Sequence, residues 1–93
     1  MVNYDYDFAG AEGEFDRALA DLSRAIQLDP RRVEAFGNRA EVYLKKNDWG
    51  SAIADMRKVL ALPARSTKER DAQIKAAETL MSLAQMQQNK AAI

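Results

Sequence analysis

The chain has 93 residues, 47% of them hydrophobic and 30% charged, with no cysteine and no histidine. These absences exclude a disulfide scaffold and remove the ligands that zinc, copper and haem sites prefer, so neither a metal nor a cofactor is expected. Fourteen basic residues balance fourteen acidic ones, but residues 1–30 hold seven acids against two bases and residues 31–70 hold ten bases against five acids. That polarity can orient a partner or favour head-to-tail association, or it can be ordinary solvated helix surface.

Glycine is scarce, only two prolines occur, and apolar residues recur at spacings of three and four, so the chain is expected to be all-α. The first segment, about Asn3 to Glu12 with Asn3 as cap, places Tyr4, Phe8 and Ala11 at helical spacing with Phe15, although Asp5, Asp7 and Gly10 favour helix poorly. A second helix runs from about Glu14 to Leu28, with Phe15, Ala18, Leu19, Leu22, Ala25 and Ile26 on one face, and stops at Asp29 and Pro30. The third, Val33 to Lys46, turns Phe36, Ala40, Tyr43 and Leu44 inward, and its terminal lysines suit the carboxyl end of a helix. Asn47 and Asp48 make a turn into a fourth helix, Trp49 to Leu62, expected to bury Trp49, Ala52, Ile53, Met56, Val59 and Leu60 before Pro63. Ser66 or Thr67 caps the last helix, with Glu69 placed three residues after Ser66 for a capping box, and Ile74, Ala77, Leu80, Met81 and Ala84 form the apolar stripe. Lys68, Glu69, Arg70, Asp71, Lys75 and Glu78 would be its solvated side.

No apolar stretch approaches the length that crosses a bilayer, and the amino terminus shows no signal-peptide pattern, so no membrane association is expected and a cytoplasmic location is the default.

Shifting the chain by 34 residues lays Phe15 on Trp49, Ala18 on Ala52, Leu19 on Ile53, Asp21 on Asp55, Ala25 on Val59, Ile26 on Leu60 and Leu28 on Leu62. An isolated amphipathic helix does not produce this register, because 34 is not a whole number of 3.6-residue turns. Phe36, Arg39, Ala40, Tyr43, Ala52, Met56 and Pro63, with Ala18, Leu22, Ala25 and Pro30 one period earlier, resemble the tetratricopeptide repeat. Arg39 departs from the usual Leu, Ala40 from the common Gly, and Pro63 comes one residue early. The resemblance implies antiparallel helix-turn-helix repeats in a right-handed superhelical stack. One domain, 1–93, would hold a partial first repeat (3–30), a complete repeat (33–64) and a capping helix (66–90).

The same resemblance implies a concave groove for an extended peptide or partner helix. Glu34, Asn38, Glu41 and Lys45, spaced by three and four, would line it on the leading helix of the complete repeat. The run Asn38, Arg39, Ala40 is similar to that of chaperone-binding members, which clamp a carboxyl-terminal carboxylate. One amide cannot offset the desolvation of that group, and Asn3, Asp7, Lys68 and Ala72 on the flanking helices do not complete the clamp. The function expected is a non-catalytic scaffold for a protein or peptide partner. The alternative is a structural self-assembly unit, a homodimer or larger, joined through Tyr4, Tyr6 and Phe8, residues that also read as ordinary helix packing or as an unstructured leader.

Enzyme chemistry has little to stand on. Ser23, Ser51, Ser66 and Ser82 have no histidine to activate them, no phosphate loop occurs, and the carboxylate pairs Asp71 with Glu78 and Asp16 with Asp21 lack a cleft-forming context. No catalytic residue and no small-molecule substrate is expected. Nucleic-acid binding is argued against by the neutral total charge, since Arg31, Arg32, Lys45, Lys46, Arg57, Lys58 and Arg65 make only a weak basic band.

Overall fold

The computed structural model describes the backbone of residues 3–92 and the side chains of residues 12–88. Four helices follow in order: α1 (Asn3–Leu28), α2 (Val33–Lys45), α3 (Trp49–Ala61) and α4 (Thr67–Ala92). Tyr4, Tyr6 and Phe8 lie outside the described side chains.

Local chemistry sets the breaks between helices. After α1, the Arg31 amide donates to Asp29 Oδ1 at 3.2 Å, beside the proline that ends the hydrogen-bond ladder. Asn47 closes α2 with a left-handed φ of 63°. Its amide donates to the Leu44 carbonyl at 3.0 Å and that of Asp48 to Tyr43 at 2.9 Å, the paired bonds of a Schellman stop. Asp48 then caps α3, accepting from the Ser51 amide and hydroxyl. At α4, Ser66 Oγ accepts from the Glu69 amide at 3.1 Å, and Glu69 Oε1 accepts from the Arg65 amide at 2.6 Å. The capping box therefore forms with its return bond one residue upstream, and this bond draws Glu69 into the interior rather than onto the expected solvated side.

α2 is the hub, packed against α1, α3 and α4, while α3 also packs on α4. The core is Val33, Phe36 and Ala40 from α2, Ala52, Met56 and Val59 from α3, and Ala76 from α4, surrounded by Ile26, Tyr43, Leu44, Ile53, Leu62, Ala72, Leu80 and Leu83. Small residues at 40, 52 and 76 let the helix axes approach closely while Phe36 and Met56 fill the remaining gaps. The radius of gyration is 15.4 Å, above the roughly 12 Å of a spherical domain this long, and one dimension of the 49 × 44 × 19 Å body is thin. This is the shape of stacked helices rather than of a globule with a central core.

Besides Glu69, three expectations are corrected. Asn3 to Glu12 is not a separate helix but the start of α1: two glycines cost a helix only about 1 kcal/mol each, and neither a proline nor a cap interrupts residues 10–14. Trp49 and Leu60 are 45% and 43% exposed: at about 100° per residue they lie toward the edge of the buried face of α3, whose middle is Ala52, Met56 and Val59. On α4 the face that meets the stack carries Ala72, Ala76, Leu80 and Leu83, rotated by roughly 100° from the expected stripe, counting about 100° per residue. Ile74 and Met81 are thereby 53% and 72% exposed.

Candidate functional site

A stack built on a 34-residue period sets each position beside its equivalent one repeat later. Four polar contacts follow this rule: Lys46 Nζ to Glu12 Oε1 at 3.1 Å, Arg65 to the Arg31 carbonyl at 3.2 Å, Lys68 Nζ to Glu34 Oε2 at 3.4 Å and Lys75 Nζ to Glu41 Oε1 at 2.6 Å. Lys46 also reaches Asp16. In each of the three ion pairs the acid comes first and the base 34 residues later. The acidic and basic halves of the chain are thus partly consumed in holding successive helices in register.

The last two pairs span a cavity of about 460 Å³ between α2 and α4. Both helices run in the same direction, as the 34-residue offset between paired residues requires. Ala40 and Leu44 of α2, Met56 of α3 and Ala72 and Ala76 of α4 supply its apolar surface. Its rim is polar, with Glu34, Asn38, Glu41 and Lys45 on one side and Lys68, Asp71, Lys75 and Thr79 on the other. All four residues selected from the sequence, Glu34, Asn38, Glu41 and Lys45, border this one cavity. Lys68 and Ala72 border it too. Sequence reasoning missed Asp71, Lys75 and Thr79, which the same shift of 34 finds opposite Gly37, Glu41 and Lys45.

The hydrogen bond from Lys75 to Glu41 holds the ammonium pKa above the ordinary lysine value, and Lys46 is raised likewise, chiefly by Asp16 and then by Glu12. Two of the rim lysines, Lys68 and Lys75, are engaged: a carboxylate entering between them would compete with Glu34 and Glu41.

Behind the groove, Arg39 turns away from it. Its Nε and one terminal nitrogen donate to the two carboxylate oxygens of buried Asp55 at 2.7 and 2.8 Å, and the other donates to Ser23 Oγ at 3.0 Å. The guanidinium carbon also lies 5.7 Å from the Phe36 ring centre and 5.9 Å from that of Tyr43. Hydrogen bonding to Asp55 outweighs desolvation and raises the Arg39 pKa further. One side chain therefore joins α1, α2 and α3, which accounts for a charged residue where the repeat usually has Leu. The three serines with described partners have structural duties: Ser23 accepts from Arg39, Ser51 donates to Asp48 and Ser66 caps α4. Within the basic band, Lys46 is paired with α1, and Arg65 lies within 3.8 Å of Asp29 and 3.5 Å of Glu69. No helix among the described residues is long and apolar enough to cross a membrane.

A family model described as TPR repeat matches residues 11–47, from within α1 to the end of α2. A FAM10 family protein of Arabidopsis thaliana is 42% identical over 52 residues, covering 56% of this chain and 12% of that protein. The human tetratricopeptide repeat protein 16 is 33% identical over 57 residues, covering 61% of this chain and 6% of that protein. A TPR repeat-containing thioredoxin of Arabidopsis thaliana is 33% identical over 58 residues, covering 62% of this chain and 15% of that protein. The chain spans only a small part of these relatives. No solved structure matches it significantly. Residues 11–47 therefore match the tetratricopeptide repeat, and the 34-residue register and the stacked helices carry the same likeness through the rest of the chain.

Proposed function

We propose that the chain is a non-catalytic interaction module that holds an extended segment of a protein or peptide partner in the groove between α2 and α4. The observation that carries this reading is the groove itself, apolar along its floor, polar along both rims and bordered by Glu34, Asn38, Glu41 and Lys45. Apolar floor contacts supply most of the binding energy in such a site and rim groups supply orientation. Screening the chain against a library of extended peptides tests it. Binders should lose affinity in Asn38→Ala with Lys45→Ala and in Leu44→Glu, while Tyr4→Ala with Phe8→Ala leaves them bound. Binding that survives both groove variants overturns the reading.

A second reading, self-assembly between copies, is favoured by the exposed Ile74 and Met81 on α4. By the 34-residue shift, α4 occupies the place of a leading helix and the second half of α1 that of a trailing helix. A trailing helix from another copy would suit the outer face of α4. Light scattering after size exclusion over a concentration series tests it: a mass that doubles and reverts in Ile74→Glu with Met81→Glu supports assembly, and a constant mass near 10.4 kDa removes it.

A further inference from the structure

The rim charges of the groove are not equivalent. Glu34 and Glu41 are paired across it with Lys68 and Lys75, so four of the six charged rim residues neutralise one another in place. Two border the cavity without an ion pair among the described residues: Asp71 on α4 and Lys45 on α2. In the repeat register Asp71 stands opposite Gly37, eight residues before Lys45, a separation of about 12 Å along the groove at 1.5 Å per helical residue. Between them lies the apolar floor of Ala40, Leu44, Met56 and Ala76. The groove therefore presents a fixed dipole, with an acid toward the amino ends of its two parallel helices and a base toward their carboxyl ends.

Resting on the groove reading above, we propose that the ligand is an extended internal segment carrying one cation and one carboxylate four residues apart, with an aliphatic residue midway. An extended chain advances about 3.3 Å per residue and turns every second side chain to the same side. Residues i and i+4 then span about 13 Å on one face, matching Asp71 to Lys45, and residue i+2 of that face meets the floor. A segment charged with one sign at both positions gains one end contact and is repelled at the other. A carboxyl terminus alone uses only Lys45, because Lys68 and Lys75 are already engaged. The two charges also fix direction: the cationic end lies beside Asp71 whichever way the backbone runs.

The test titrates the isotope-labelled 93-residue chain with acetylated, amidated peptides, followed by NMR shifts of Leu44, Ala72 and Ala76. The cores are Lys-Ser-Leu-Ser-Glu, its order reversed, the same with Gln at both ends, and the same with Glu at both ends. Each carries a spin label on an added N-terminal Cys-Gly. Both mixed-charge peptides should bind about threefold to tenfold more tightly than the Gln and Glu peptides, as two exposed ion pairs of modest strength allow. The advantage should shrink in 0.5 M salt. The label on the Lys-first peptide should broaden Gly37 and that on the Glu-first peptide should broaden Thr79, with these positions exchanged in Lys45→Glu with Asp71→Lys. Equal affinity of all four peptides, or one label position for both orders, overturns the charge pattern while leaving the groove reading in place. No shift at the floor with any peptide overturns both.

Discussion

At the scale of single residues, the central object is the Arg39 fork on Asp55. Asp55 is 7% exposed and Arg39 20%. Removing the cation strands a buried carboxylate, so Arg39→Ala is expected to cost about 3 to 5 kcal/mol in urea unfolding. Arg39→Lys should not rescue it, since an ammonium cannot make the two-pronged contact. Replacing both partners, Arg39→Leu with Asp55→Leu, should recover most of the loss, because an apolar pair avoids the desolvation cost that the ion pair carries. Recovery no greater than in either single variant would sink this account. Gly37 has no positive φ, and a Cβ built there meets only a Val59 methyl at 3.9 Å, an ordinary contact. Gly37→Ala is therefore expected to stabilise the chain by about 0.5 to 1 kcal/mol, raising Tm by a few degrees in a thermal melt. A fall in Tm would mean that the helix cannot accept the extra methyl.

At the scale of elements, α4 shows how an apolar pattern can be read correctly as helix and wrongly as to face. It has two apolar sides that share Leu80, one continuing through Ile74, Ala77, Met81 and Ala84, as expected from the sequence, and one through Ala72, Ala76 and Leu83. The stack takes the second, because small Ala72 and Ala76 let α4 lie close beside α2 and α3. Ala76→Glu is accordingly expected to destabilise by several kcal/mol, and Ile74→Glu by less than about 0.5 kcal/mol. Comparable losses at both positions in denaturant titrations would contradict the observed packing. The helix boundaries after α1, α2 and α3 were legible from Pro30, Asn47 with Asp48, Pro63 and Ser66, since each acts through local backbone chemistry. The extension of α1 through Gly10 and Gly13 was not, because weak helix formers lower stability without specifying a break.

At the scale of the whole molecule, the ion pairs between residues 34 apart join one layer of the stack to the next. Lys46 and Lys75 have raised pKa values in the folded chain, so their contribution is fully present below the unfolded lysine value of about 10.4 and is lost as pH rises through the folded values. Thermal melts should therefore show an added decline in Tm above about pH 10.4. A chain carrying Lys46→Met with Lys75→Met should lack that added decline. Identical alkaline slopes for the two chains would remove these lysines from the account.

The three-and-four spacing by itself determined the helical class, and the 34-residue self-similarity determined the repeat register and the likeness to the tetratricopeptide repeat, because such a register constrains which residues stand beside one another. Applied to Glu34 and Glu41, it even contains their partners Lys68 and Lys75. Only the tertiary structure decided which face of α4 enters the stack, why Arg39 replaces an apolar residue and which rim charges are engaged. Those outcomes depend on distances between helices far apart in sequence. Periodicity along one helix gives the angle at which a side chain emerges; only the packed neighbour decides what it meets there.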